Sequence, residues 1–394
     1  MRVAIVHHWF VTQGGGERVA GILAGMLPGA DVFTLVMDPE QLPPELAGRS
    51  VTTSILQRIP GAKRMHRHLL PLYPFAVEQL DLSAYDLILT SDSGPMKGII
   101  THQNAIQICY CHSPMRYLWD GYHDYLSGMK RWLRLPFSLA AHYVRNWDFV
   151  AAQRVTQFVA NSRYVAKRIE HFYSRDSTVI HPPVDISRGF LADTHSDYYL
   201  AAGRLVGYKR TELLVKACTR LGRRLRVAGS GPELKALRRI AGPTIEFVGA
   251  LSDDDLWNEY AHCRALLFAA DEDFGMVPVE AQACGRPVIA YGRGGALETV
   301  CGRHHGTPGD LATGVFFQRQ TVDDVVNAML EFEAHESSFS PIAIQRHAAQ
   351  FSTPIFIEKM HRLIENTLAQ HPGLQETSHP EARKRRSPRN PAAA

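Results

Sequence analysis

The sequence has no apolar run approaching the roughly 20 residues that cross a bilayer as a helix, so a membrane span is not expected. Its six cysteines include no C-x-x-C pair, and they read as reduced and mostly buried thiols. The start, Met1-Arg2-Val3-Ala4-Ile5-Val6, has neither the long apolar core nor the cleavage site of a secretory signal. It reads as a first strand, and the cytosol is the expected compartment. No G-x-G-x-x-G follows that strand, and no acidic residue is placed for a ribose, which speaks against a dinucleotide site there. A basic face is missing too. The net charge is +4, but Glu376 to Ala394 alone carries five basic residues against two Glu, leaving the rest of the chain nearly neutral. A nucleic-acid protein carries its basic charge as a folded face, so that class is set aside. The Pro-, Arg- and Ala-rich tail is expected to be disordered.

What is present is the alternation of an α/β protein. At 394 residues with 45% hydrophobic content, the chain can bury the cores of two domains, with room for a third. Strand patterns cover Arg2 to Val6, Asp31 to Val36, Asp86 to Thr90, Ala105 to Cys111 and Gln157 to Asn161, the last followed by Ser162 as a helix cap. Cys109 and Cys111 are expected on opposite sides of their strand, with no metal. His181-Pro182-Pro183-Val184-Asp185 breaks regular structure and reads as an interdomain linker. Tyr198 to Ala202 restarts the strand pattern, and Thr321 to Ala369 reads as helical.

Several loops stand at strand ends. Gly14-Gly15-Gly16 lies between the first strand and a helix expected near Glu17; it is either turn chemistry or a loop that lets a phosphate or sugar approach. His112 follows a strand directly before a Ser-Pro turn, on the ligand side of a parallel sheet. Arg204 and Lys209 share one loop after the strand at 198–202, and are either solvated surface charge or a clamp on a diphosphate. The richest stretch is Arg264 to Thr299. Here an apolar strand ends at Asp271-Glu272-Asp273, Phe274-Gly275-Met276-Val277 follows, and Pro278 opens a helix expected over Val279 to Cys284. Glu272 thus sits where a strand ends and Glu280 in the first turn of the next helix, two carboxylates able to serve one hydroxyl-rich ligand.

This segment resembles the E-x7-E element of retaining nucleotide-sugar glycosyltransferases of family 4, the glycogen-synthase-like group. The resemblance extends to the GG-x-E-R loop, the G-R-x4-K spacing of Arg204 and Lys209, and the NS…PPVD pattern. It implies an α/β, GT-B architecture: two Rossmann-like domains facing each other across a cleft, with a C-terminal helix crossing back to the N-terminal domain. Residues 1–184 would form the acceptor-side domain, 185–352 the nucleotide-sugar-binding domain, 353–371 the crossover helix, and 372–394 the basic tail. By resemblance, Glu272 holds sugar hydroxyls, Glu280 the ribose, Arg204 and Lys209 the phosphates, and His112 lies against the donor sugar. Gly15, Gly16, Phe274, Gly275, Met276 and Val277 complete the implied donor site. The string CYCHSPMRYLWD is more narrowly similar to GDP-mannose:cellobiosyl-diphosphopolyprenol α-mannosyltransferases of acetan- and xanthan-type polysaccharide synthesis.

The chemistry implied is glycosyl transfer with retention, in which fixed cations neutralise a departing diphosphate. Asp271-Glu272-Asp273 and Asp253-Asp254-Asp255 have the D-x-D spelling of manganese sites. Metal sites of that class lie in a single nucleotide-binding domain, and Arg204 and Lys209 already supply positive potential, so neither triplet is read as a site and no cofactor is expected. The expected partners are a nucleotide sugar (GDP-mannose), a polyprenyl-linked oligosaccharide acceptor and a membrane surface. Arg58 to Phe75 and Met129 to Phe137 interleave basic and apolar residues. Each is either a helix lying on anionic lipid, with Trp132 and Phe137 at headgroup depth, or an ordinary helix with snorkelling cations. The chain would then be cytoplasmic and peripheral at the inner face of a bacterial inner membrane. Another donor such as UDP-glucose, a GT-B nucleotide-sugar epimerase, and a non-catalytic sugar-binding role are the alternatives.

Overall fold

In a computed structural model, which describes residues 1–303 and 312–371, two all-parallel sheets account for every strand of the described chain. The basic tail read in the sequence lies outside the described residues. The chain divides into two compact units, one of residues 1–180 with the described chain from Ile357, the other His181–Phe356.

The first unit holds β1 (Val3–Phe10), β2 (Asp31–Met37), β3 (Val51–Thr53), β4 (Leu87–Asp92), β5 (Ile106–Cys111), β6 (Gln157–Ala160) and β7 (Ser177–Val179). Their order is β3-β2-β1-β4-β5-β6-β7. β4 and β5 are buried along their whole length, as strands covered on both faces must be, which is why they read as continuous apolar runs. β1 continues four residues past the expected Val6. His7, His8, Trp9 and Phe10 belong to the sheet, and His7 is in register with Ser91 on β4. Cys109 and Cys111 share one hydrophobic cluster and therefore one face of β5. A separation of two residues in a strand returns to the same side, so the opposite-face expectation was wrong. Five of the six cysteines are buried and Cys301 is exposed, all as free thiols.

At the carboxyl end of β4 lies a buried ionic group. Lys97 Nζ is 2.5 Å from Asp148 Oδ1 and 3.3 Å from Asp92 Oδ2, with all three side chains almost completely buried. Asp148 also accepts from the Trp119 indole at 2.9 Å and the Tyr173 hydroxyl at 2.8 Å. Burial alone would depress the lysine, but Asp148, Tyr173 and Asp92 outweigh it and hold Lys97 well above its ordinary pKa. The group ties β4, the helix Arg131–Arg154 and the helix Arg163–Tyr173 together, the last capped by Ser162 accepting from the Val165 N–H at 3.0 Å.

The second unit holds β8 (Tyr199–Ala202), β9 (Leu225–Ala228), β10 (Ile245–Gly249), β11 (Ala265–Phe268), β12 (Val288–Tyr291) and β13 (Gly314–Phe317), in the order β10-β9-β8-β11-β12-β13. In both sheets the first strand of the unit sits between neighbours reached by crossovers in opposite directions. These β1/β4 and β8/β11 edges are topological switch points, where crossovers diverge and the carboxyl ends leave a crevice for a ligand. The last helix, Thr353–Ala369, buries Phe356, Met360, Leu363, Ile364 and Thr367, a three-to-four-residue stripe, and passes from the second unit into the first at Ile357.

Candidate active site

In the second unit the predicted residues gather at the β8/β11 switch point. β8 leads into Gly203 and Arg204, and one turn of 3-10 helix, Gly207–Lys209, turns Lys209 back toward the end of β11. Lys209 Nζ pairs with Glu272, and the Tyr208 and Phe268 rings lie 5.8 and 5.9 Å from it. Burial acts to lower the Lys209 pKa, but Glu272 foremost, then Tyr208 and Glu280, raise it above its ordinary value. The side chain is therefore an ammonium throughout the neutral range. Arg204 is exposed and has no ion-pair partner among the described residues. Together with Lys209, Phe268 and Ala270 it lines a cavity of about 20 Å³, room for roughly one water.

The helix after β11 starts earlier than expected, at Met276, and runs to Ala283. Gly275 precedes it with φ +86°, a left-handed conformation that glycine adopts without strain. Pro278 is then the third helical residue, where its missing N–H is still one of the four without an intrahelical partner. Glu280 accordingly stands one turn further in than the expected first turn. Its Oε2 accepts from the hydroxyl of buried Tyr260 at 2.9 Å, which fixes the carboxylate's direction. The loop carrying Glu272 is braced by a turn that motif reasoning passed over. Gly295 N–H donates to the Glu272 carbonyl at 2.8 Å, and a Cβ on Gly295 would lie 2.2 Å from Phe274 Cα. The Phe274 side chain is in the core, stacked on His181 at 5.4 Å, so its backbone is what it offers to a ligand. Met276 and Val277 pack half-buried against the same cluster.

In the first unit His112, Gly15 and Gly16 stand at the β1/β4 switch point or beside it. The helix expected near Glu17 begins at Gly15, so the two glycines form its first turn. Gly16 lies over two imidazoles: a Cβ there would sit 3.6 Å from His7 Cε1 and 3.7 Å from His112 Nε2. His112 continues from β5, its N–H donating to the Asp92 carbonyl at 2.8 Å. Its Nε2 is 2.8 Å from the Ser91 hydroxyl, and Ser91 is in turn 3.0 Å (carbonyl) and 3.1 Å (hydroxyl) from His7 Nδ1. Neither His7 nor Ser91 was singled out from the sequence. They are 84 residues apart and meet through strand register, for which no local motif exists.

The rest of HSPMRYLWD has packing and hydrogen-bond duties. Met115 and Leu118 are core residues, Trp119 holds Asp148, and Arg168 binds Ser113 and, at 2.6 Å, Asp120. Asp253 and Asp254 lie in the first turn of a helix capped by Ser252 and pair with Arg188 at 2.8 and 2.5 Å. Asp271 is 3.3 Å from Arg293. Among the described residues no three His, Cys, Asp or Glu side chains form a metal-sized cluster. Phe137 is half-buried, stacked on Tyr122 with centroids 6.1 Å apart and packed against the core cluster, whereas Trp132 is 71% exposed. No helix among the described residues is long and apolar enough to cross a membrane.

Two family models together match residues 13–347: Glycosyltransferase Family 4 over residues 13–188 and Glycosyl transferases group 1 over residues 185–347. A D-inositol 3-phosphate glycosyltransferase of Mycolicibacterium smegmatis is 26% identical over 344 residues, 71% of this chain and 77% of its own length. A GDP-mannose-dependent monoacylated alpha-(1-6)-phosphatidylinositol monomannoside mannosyltransferase of Corynebacterium glutamicum is 30% identical over 203 residues, 43% of this chain and 51% of its own. Among solved structures, the HepE protein of Anabaena in complex with UDP superposes with a TM-score of 0.68 at 17% identity, covering 93% of this chain and 100% of that one. Sucrose-phosphate synthase from Thermosynechococcus elongatus does so at 0.69 and 17%, covering 94% and 100%. At these identities the structural likeness concerns the fold.

Proposed function

We propose, for a chain that belongs to the family 4 glycosyltransferases of the GT-B fold, that the sugar it transfers is mannose, taken from GDP-mannose with retention of configuration and placed on a polyprenyl-diphosphate-linked oligosaccharide in exopolysaccharide synthesis. The observation that carries this reading is the Lys209–Glu272 pair beside Arg204 at the β8/β11 switch point. A departing nucleoside diphosphate gains negative charge, and a lysine held as a cation next to an exposed guanidinium is a preorganised counter-charge for it. Glu272 accepts from sugar hydroxyls. Glu280, aimed by Tyr260, accepts from the ribose. His112 recognises the donor sugar. Lys209 and Arg204 act in place of a divalent ion, so transfer persists in EDTA; a strict Mn²⁺ requirement would refute that part.

The mannosyl assignment draws on the GDP-mannose-dependent relative and on the string at 109–120. Thermal shift of the purified chain with GDP, UDP and ADP tests it, since a nucleotide bound at 100 times its Kd stabilises by about 2.7 kcal/mol. GDP alone should raise the Tm; a response to UDP alone reassigns the donor. Transfer to a lipid-linked acceptor, as against donor turnover without acceptor, separates the transferase from an epimerase.

A lipid-linked acceptor calls for a membrane surface, and one helix supports this. On Arg131–Arg154 the buried stripe is Ala141, Val144, Asp148 and Ala151, while Trp132, Leu135, Leu139 and Tyr143 form an exposed apolar stripe on the other side. Exposed Lys130 and Arg131 begin that stripe, the composition of a helix that lies on anionic lipid. The proposed location is the cytoplasmic face of a bacterial inner membrane. Flotation with vesicles containing anionic lipid should carry the wild-type chain, and Trp132→Ala with Leu135→Asp should release it. Binding unaffected by those changes would remove this helix from the reading.

A further inference from the structure

We propose that Ser91 and His7 are positioning residues that lock the His112 imidazole as its neutral Nδ1–H tautomer, so that any hydrogen bond His112 makes to a donor sugar through Nδ1 is one in which it donates. The proposal rests on the reading above only in giving His112 a place against the sugar.

The hydrogen-bond geometry leaves one consistent assignment. His7 Nδ1 lies 3.0 Å from the Ser91 carbonyl oxygen, which can only accept, so Nδ1 carries the proton. The Ser91 hydroxyl, 3.1 Å from that same nitrogen, can then only accept from it. Its own hydrogen must go elsewhere, and the one other partner within reach among the described residues is His112 Nε2 at 2.8 Å. Nε2 therefore accepts and has no proton, which places the ring N–H of neutral His112 on Nδ1. Protonating Nε2 would turn that contact around and leave the Ser91 hydroxyl hydrogen without an acceptor at a fully buried position.

His7 is suited to be the fixed end of the chain. It is completely buried, and burial first, then the nearby His8 and His112, hold its pKa well below the ordinary histidine value. It stays neutral and keeps a single N–H to give. Its Nε2 has no hydrogen-bond partner among the described residues, so no competing bond draws the ring away from Ser91. Strand pairing supplies the rigidity: His7 and Ser91 are register partners on β1 and β4, and β4 pairs β5, which leads directly to His112.

The test is long-range ¹H–¹⁵N spectroscopy of the full chain, which reads imidazole tautomers without substrate, with the His112 signals assigned through His112→Gln. The wild type should show His112 with protonated Nδ1, the form a free imidazole disfavours. Ser91→Ala should shift it toward Nε2–H and lower kcat by about tenfold, the worth of one neutral hydrogen bond. Ser91→Thr, which keeps the hydroxyl, should restore both. His112 found as Nε2–H in the wild type overturns the proposal, as does an unchanged tautomer or kcat in a folded Ser91→Ala chain. If GDP-mannose proves not to be the donor, the tautomer is still read and kcat is taken with whichever nucleotide sugar turns over. That result would count against the donor assignment and leave the relay standing.

Discussion

In the second unit the charged groups stand at the carboxyl ends of the strands: Lys209, Glu272 and Arg204 at the β8/β11 edge, half-buried or exposed. In the first unit, whose core strands follow the same order, the strand ends carry the hydrogen-bonded chain His7–Ser91–His112, and the charges of Lys97, Asp92 and Asp148 are buried against one another, Asp92 as the last residue of β4. One switch point leaves ionised groups at its mouth; at the other the ionised groups are paired and buried, and imidazoles joined through Ser91 stand at the strand ends. The difference shows how one α/β topology hosts two tasks. The crevice is given by strand order, and its chemistry depends on whether ionised groups are left at its mouth or spent on holding helices to the sheet.

The contrast is broken most severely at Lys97. Lys97→Met strands Asp148 and Asp92 without their cation and should destabilise the chain by about 3–5 kcal/mol in urea unfolding. Full stability in that variant would mean that the buried charges do not hold the first unit. Lys209→Ala is the opposite case: stability changes little, while turnover should fall roughly 10²- to 10³-fold, the range for losing one preorganised donor at a developing charge. Wild-type turnover there would remove the counter-charge from the second unit's site.

A pH shift sharpens the comparison. An unfolded histidine titrates near pKa 6.5, about where free imidazole does, whereas His7 in the native state titrates well below it. Below pH 6.5 the unfolded chain binds a proton that the native chain refuses. This contribution is therefore present at neutral pH and lost as pH falls, by up to about 1.4 kcal/mol per unit until the native pKa is reached. His7→Asn, which keeps a donor near the Nδ1 position and does not titrate, should flatten the slope between pH 7 and 5. An unaltered slope would assign the acid sensitivity to other groups. The smallest effect is expected for Tyr260→Phe, which removes the hydroxyl that donates to Glu280 Oε2. Calorimetry should show nucleotide affinity down by about 0.5–1.5 kcal/mol with kcat nearly unchanged.

The composition and periodicity of the chain determined the α/β class, the parallel sheets, the helical C-terminal stretch and the strand ends at which Arg204, Lys209, Glu272 and His112 stand. These rest on local physics, namely continuous apolar runs, glycines at turns and charged residues directly after strands. The helix starts were misjudged by two or three residues at Gly15 and Met276, where glycine and proline signals belong to the first turn and not to the loop before it. Tertiary structure alone decided that His7 faces Ser91, that Tyr260 aims Glu280, that Gly295 braces the Glu272 loop, and that Phe137 packs half-buried on the core while Trp132 is exposed. Each of these joins residues distant in the chain through strand register or helix packing. A one-dimensional pattern records what each residue prefers; which distant partner it meets is set when the strands align.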